Sequence, residues 1–463
     1  MGRATGNQIL IHAASRTQWS LLGRLAQRLA GAGERLSLSH EGPDPRDTGP
    51  ALAGGEATDF DGLAAAIPEN DATPWFERLV PRPLKTAVLG QPRYRSFLAL
   101  HRTRLEAARR LVHRTAPKLL IVAEDGVAGN PWLIKAAQDA DVPVLVTPYG
   151  YGSRRDFDNA LAQKYRAGDL ILATGADGAK VLARYAQWVK ATDFGPALLF
   201  PSDYVLARER LGLTLRDPWT VHGGPAERIA VESAMMRRHY LREGIPEGKL
   251  TVTGTVYCDV AYDALGAQPR YRRAFDDASK VELGQTRILV ALPPSYHGER
   301  QAETEFGSYR ELCEQTLGFL SALPGARLTV SIHPATLPED RAAIERSGAT
   351  ISDAYVIELI ARHDVFVTCF SSTIRWAIAC RKPVANYDMY RFRLEDYAGV
   401  PGVLTVETQD DFRAVMRTLA GDEDHYRVVA GQLAQVSQDW GVIDGRNFDR
   451  IHALVKQLTE RAG

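Results

Sequence analysis

LLIVAEDGVAGNPWLIKAAQDADVPVLVT, residues 119–147, holds three pieces of secondary structure in a row. Leu119–Ala123 is an unbroken apolar run of strand length, the kind a parallel sheet buries on both faces. Pro131 opens a helical stretch to Ala140; proline suits that first turn, because the N–H it lacks would have no partner there. Val142–Thr147 is a second strand. Strand, helix and strand in succession form a βαβ unit, and such units build a mostly parallel sheet.

The same alternation continues in both directions. Toward the amino terminus, Gln8–Ala14 reads as a strand and Gln18–Ala30 as a helix that Gly31-Ala32-Gly33 stops. Residues 40–75, rich in Gly, Pro and Asp, read as an irregular loop or insertion, and Arg102–Arg114 as a basic helix. Asp169–Thr174 begins another strand–helix pair, followed by Ile229–Glu232 (strand), Ser233–Glu243 (helix) and Leu250–Thr253 (strand). Residues 266–285 are polar and weakly periodic, as in a linker. A second run of strands follows at Arg287–Leu292, Arg327–Ile332, Val365–Cys369, Pro383–Tyr387 and Val403–Val406. Helices are predicted between them at Tyr309–Leu323, Glu339–Ser347, Tyr355–Arg362 and Ser372–Cys380, and again from Asp410 onward.

A chain of 463 residues is too long for one core. The expected fold is therefore α/β, with two tandem Rossmann-like doubly wound domains and a cleft between them. Residues 1–265 would form the first domain and 286–435 the second, with 436–463 a helix returning to the first. Ligands of open α/β sheets bind beyond the carboxyl ends of the strands, so the loops after strands are where chemistry is expected.

Composition removes several classes of function. Lys and Arg total 56, as do Asp and Glu, so no global field draws the chain to nucleic acid. Four cysteines without a CxxC spacing argue against a zinc site or a disulfide framework and suit a reducing cytoplasm. No apolar run reaches the roughly 18 residues of a membrane helix. The expectation is a soluble cytoplasmic protein, at most peripheral at the inner face of the membrane, where the Arg-rich helix 102–114 could rest on anionic lipid. A solvated helix face is the plainer account of those arginines.

Three loops carry candidate chemistry. Glu124-Asp125-Gly126 follows the strand Leu119–Ala123; a carboxylate there can take a proton from a hydroxyl, and Gly126 lets the backbone turn. A turn or a helix N-cap is the competing reading. His333-Pro334 ends the strand Arg327–Ile332, where an imidazole can donate to a phosphate; a surface turn is its alternative. Ser371-Ser372-Thr373 stands between the strand Val365–Cys369 and the next helix, where hydroxyls and amides can hold an anion or cap the helix. Weaker candidates are Pro293-Pro294-Ser295-Tyr296-His297-Gly298, able to cradle a nucleotide through Ser295 and His297, and Tyr149-Gly150-Tyr151-Gly152-Ser153 on the acceptor side. His222-Gly223-Gly224 reads as a turn, and His12 as a packed histidine at a strand end.

In this order the three loops resemble the motifs of the bacterial sialyltransferases and related Kdo transferases: an acidic pair followed by Gly, then His-Pro, then a Ser-Ser/Thr pair. That resemblance implies the GT-B fold and a CMP-activated sugar acid as donor. It also implies Asp125 or Glu124 as general base, His333 assisting the leaving phosphate, and Pro334 with Ser371–Thr373 holding it. The segment 218–265 is similar to the interdomain region of bacterial surface-polysaccharide proteins, a group with UDP-N-acetylglucosamine epimerase-like and CDP-glycerol-transferring members. The function expected is transfer of a sialic-acid-like or Kdo residue to a surface glycan or lipid-linked glycan, with no cofactor and no metal. Alternatives are a UDP-sugar transferase, an epimerase-like enzyme, a CDP-glycerol-type phosphotransferase, or a non-catalytic GT-B module. Inverting and retaining outcomes both stay open.

Overall fold

The computed structural model describes residues 8–47, 57–68, 74, 77, 79–81, 84–293, 303–332 and 336–461. The chain divides into two compact units. The first comprises residues 1–231, 237–253 and 449–463; the second comprises 232–236 and 254–448. The stretch 266–285, read as a linker, falls in the second unit and contains helix Pro269–Asp276 and a short helical turn, Ala278–Lys280. Helix Pro269–Asp276 is eight residues long and mostly charged, and Tyr271 is its buried residue, so its apolar signal is slight.

The first unit holds β1 (Gln8–Ala13), β2 (Arg35–His40), β3 (Ala57–Asp59), β4 (Pro117–Val122) and β5 (Val144–Val146). It continues with β6 (Ile171–Leu172), β7 (Val189–Thr192), β8 (Gly195–Leu198), β9 (Arg228–Val231) and β10 (Leu250–Val252). Seven of these form one parallel sheet in the order β10-β9-β5-β4-β1-β2-β3. Ile9–Ile11 and Leu119–Ile121 have no exposed surface, because helices cover both faces of the sheet. One of them, Arg16–Gly31, is capped by Ser15 and buries Trp19, Leu22 and Leu29 along one stripe.

Asp169–Thr174 does begin a strand–helix pair, β6 followed by helix Gly175–Arg184, but β6 stands outside the main sheet: it pairs antiparallel with β8 in a small three-stranded sheet, β6-β8-β7, packed on Trp188. The 40–75 region is not wholly irregular, since β3 and helix Phe60–Ala65 lie in it.

The second unit holds β11 (Arg287–Ala291), β12 (Arg327–Ser331), β13 (Thr350–Ile351), β14 (Val365–Thr368), β15 (Val384–Tyr387) and β16 (Val403–Val406). They form one parallel sheet in the order β13-β12-β11-β14-β15-β16. In both sheets the chain winds outward to one side and then returns to wind out the other way. The reversal falls between β1 and β4 in the first sheet and between β11 and β14 in the second. The carboxyl ends of those strand pairs are the switch points where doubly wound sheets bind ligands.

Candidate functional site

At the first switch point β4 leads directly into Glu124-Asp125-Gly126. Backbone packs on backbone here. A Cβ on Gly126 would stand 2.0 Å from the Val221 carbonyl oxygen, and one on Gly129 2.5 Å from that of Glu124. On the facing loop, Gly223 would meet Asp217 O and Gly224 would meet Asp125 O, each at 1.8 Å. A side chain at Gly126 or Gly224 would force the two loops apart, and one at Gly129 or Gly223 would break its own loop's turn, so His222-Gly223-Gly224 also forms the facing wall of the acidic loop.

The two carboxylates of this loop are treated very differently. Asp125 has no exposed side-chain surface. Its Oδ2 accepts from the Ala226 amide at 2.9 Å and from Lys249 Nζ at 3.0 Å, while His222 Nδ1 stands 3.8 Å from Oδ1. Burial alone would raise its pKa, but the His222 imidazole, the Lys249 ammonium and the Ala226 amide outweigh burial and hold it at about 2. A base that weak suits an architectural charge better than proton abstraction. Glu124 is also buried, and its Oε1 accepts from the Ala128 amide at 3.3 Å. Burial lifts its carboxyl above the ordinary range, with neighbouring His222 and the Ala128 amide opposing. Glu124 is therefore the stronger proton acceptor of the pair. The phenol of Tyr149, after β5, is raised by burial and then by Glu124.

Around β1, His12 is buried in a polar cluster, as its reading as a packed histidine anticipates. Its Nδ1 lies 2.9 Å from Ser39 Oγ and its Nε2 3.3 Å from Asn130 Nδ2. Asn130 Oδ1 in turn caps helix Pro131–Asp139 by accepting from Leu133 N at 2.8 Å. Tyr151 meets His239 Nδ1 at 3.1 Å, and the other nitrogen of that ring lies 2.9 Å from Gly152 O. This bonding stiffens the 149–153 loop.

At the second switch point β14 leads into Phe370, whose φ of 40° is a left-handed conformation that a bulky residue rarely adopts. Fully buried Asn386 holds it there, accepting from Phe370 N at 2.9 Å. Such strain, retained because neighbours over-determine it, is typical of functional loops. Next come half-buried Ser371, Ser372 and Thr373. Ser371 Oγ and Thr373 Oγ1 are 2.8 Å apart, and the Thr373 amide donates to Ser371 Oγ at 3.2 Å. The following helix is only Ile374–Ala379, shorter than predicted, and Thr373 makes no side-chain cap to it. The hydroxyls are thus tied to one another and not spent on capping.

This loop is supported by an ion pair that sequence reading missed. Glu232 and Arg375 are both buried; Arg375 Nε donates to Glu232 Oε2 at 3.0 Å and Trp376 Nε1 to Glu232 Oε1 at 2.6 Å. The Arg375 guanidinium also donates to the Ser372 carbonyl and lies 4.3 Å from the Trp376 ring centroid. A charged residue at the end of the run 229–232 was the available signal for Glu232. Nothing local marked Lys249, which reaches Asp125 from 124 residues away. His333, Pro334, Ser295 and His297 lie outside the described residues.

No protein-family model and no curated protein matches the chain. Solved structures do. UDP-GlcNAc 2-epimerase from Neisseria meningitidis, bound to UDP-GlcNAc, aligns with a TM-score of 0.52 at 11% identity, over 97% of this chain and 100% of that one. The wall teichoic acid polymerase TagF aligns at 0.55 and 12% identity, over 98% of this chain and 90% of that one. The calicheamicin glycosyltransferase CalG4 aligns at 0.50 and 13% identity, over 98% and 99%. With two doubly wound parallel sheets in tandem and this likeness along nearly its whole length, the chain has a GT-B-like fold.

Proposed function

We propose that the chain is a glycosyltransferase with a nucleotide-sugar donor, and that the donor is a CMP-activated sugar acid passed to a surface glycan or lipid-linked glycan. The reading is supported by the unequal pair at the first switch point, where Asp125 is fully buried and held by Lys249 and the Ala226 amide, whereas Glu124 accepts from the Ala128 amide at 3.3 Å and is raised by burial. In the proposed inverting step, Glu124 takes the proton from an acceptor hydroxyl as that oxygen bonds to the anomeric carbon. The bond from that carbon to the phosphate oxygen breaks, and its electron pair leaves on the nucleotide phosphate. Ser371, Ser372 and Thr373 are assigned to hold that phosphate; preorganised donors of this kind are worth a few kcal/mol each. His333 and Pro334 are assigned to the same phosphate on the motif alone. The step balances without a cofactor or metal. A retaining enzyme would instead use a carboxylate as nucleophile, and the anomeric configuration of the product separates the two.

A UDP-sugar donor is the second reading. It is favoured by the UDP-GlcNAc bound to the Neisseria epimerase and by the UDP in a similar S. aureus MnaA structure, which aligns at a TM-score of 0.53 and 13% identity over 98% of this chain and 97% of that one. Thermal shift with CMP, UDP and CDP distinguishes them, because a ligand bound only by the folded state raises stability by mass action. A shift with UDP and none with CMP would replace the sugar-acid reading. Glu124→Gln keeping full transfer activity would remove the assigned base.

A further inference from the structure

The second unit carries a cavity of about 660 Å³ at the amino-terminal edge of its sheet. Its wall includes Arg287, Arg327 and Thr350, the first residues of β11, β12 and β13, so it lies opposite the edge that bears the Ser371–Thr373 loop. β11 spans five residues, which separates the two edges by roughly 15 Å. A ligand in this cavity is therefore not one held by the Ser371–Thr373 hydroxyls.

The lining is one-sided in charge. Arg287, Arg327 and Arg362 line it together with Gln268 and Gln285, and among the described residues no Asp or Glu takes part. Arg327 Nε donates to the neutral Gln285 Oε1 at 2.7 Å, and Arg362 Nε is buried with no hydrogen-bond partner among the described residues. Adjacent Asp364 is already committed, accepting from Arg270 at 2.9 and 3.0 Å and from the Arg287 amide at 2.8 Å. Burial holds lining His363 neutral by lowering its pKa to about 4.

Arginines at this edge could simply complement helix ends, so the charges must be weighed. Helices Tyr309–Ser321, Pro338–Arg346 and Val356–Ala361 end beside the cavity, with Ser321, Gly348 and Arg362 lining it. Each helix end carries about half a negative charge, so three ends offset about one and a half of the three guanidinium charges, and about one and a half remain. Arg362 Nε adds a donor that no acceptor among the described residues meets. A volume of this size suits a small molecule rather than a bare ion. Guanidinium forks match phosphate oxygens.

We propose that this cavity is a second ligand site, separate from the candidate donor site, for an anionic ligand of the phosphate-ester class. Such a group occurs on free phosphorylated molecules and on anionic lipid headgroups. Pyrophosphate and vesicles separate these sources, using the full chain, Arg287→Gln/Arg327→Gln (both residues exposed, with far-UV circular dichroism to check that the fold is kept) and Ser372→Ala. Pyrophosphate should raise the Tm of the wild type and of Ser372→Ala saturably. The double arginine variant should weaken that response about tenfold or more for each guanidinium removed. Cosedimentation with phosphatidylglycerol but not phosphatidylcholine vesicles, lost in the arginine variant, would identify a lipid headgroup. Arginine-dependent pyrophosphate binding without cosedimentation would identify a free phosphorylated ligand. Identical behaviour of wild type and arginine variant in both arms, or loss of the pyrophosphate response in Ser372→Ala alone, would overturn the proposal.

Discussion

Replacing Lys249 by methionine separates an architectural Asp125 from a reacting one. The ammonium lies 3.0 Å from a carboxylate that has no exposed surface. At an effective dielectric constant of about 20, two unit charges at that distance attract by roughly 5 kcal/mol. Removing one partner of a buried pair typically costs about 3–5 kcal/mol, because the other is left charged and desolvated. Lys249→Met should therefore destabilise the first unit by about that amount. Asp125→Asn should cost less, about 1–2 kcal/mol, since Lys249 keeps its 2.8 Å bond to Gly224 O and is partly exposed. The double variant should recover part of the loss, with a coupling of about 1 kcal/mol or more. The pH dependence has a definite sign. The folded pKa of about 2 lies below the unfolded value near 3.9, so the stabilisation is complete above about pH 4 and is lost as pH falls toward 2. Without Lys249 that acid-labile contribution should shrink, because burial is then less opposed. Urea unfolding across pH, with hydrogen exchange of peptides covering 119–129 and 217–226, measures both effects. A loss below about 1 kcal/mol with unchanged exchange in both loops would refute the assignment.

Other consequences follow from the same geometry. Glu124→Gln should lower kcat by about 10²-fold or more with little change in donor binding, and the acidic limb of the wild-type rate profile should sit above the ordinary carboxylate range, since burial raises the Glu124 pKa and only its deprotonated form accepts a proton. Gly224→Ala should cost about 3 kcal/mol or more in thermal unfolding, its Cβ falling 1.8 Å from Asp125 O, whereas Gly150→Ala, with nothing within 4 Å, should stay within about 0.5 kcal/mol. Glu232→Ala should destabilise the second unit by about 3–5 kcal/mol by stranding the buried Arg375, and should raise the donor KM by loosening the Ser372 carbonyl that Arg375 holds.

Among the described residues no helix is long and apolar enough to cross a membrane. The Arg-rich helix read as 102–114 is part of a longer one, Pro92–Thr115, whose Arg102 pairs with Glu77 and Arg104 with Asp61. Those pairings engage charges that by themselves suggested an anionic partner.

Alternating strands and helices, the switch-point loops and the acidic pair were all legible in the chain, because apolar periodicity and glycine placement are local properties. Strand β13 escaped notice because two residues, Thr350 and Ile351, carry too little pattern. The 266–285 segment was misread because its helix is short and charged. Which of Glu124 and Asp125 is the more basic carboxylate was beyond sequence, since adjacent acids look alike until their surroundings differ. The tertiary structure separates them by bringing Lys249 and the Ala226 amide, both far along the chain, onto Asp125. It likewise joined Glu232 to Arg375 across 143 positions and gathered three arginines from β11, β12 and a helix end into one cavity. Periodicity is written residue by residue, but a pKa or a pocket belongs to whatever the fold places within a few ångströms.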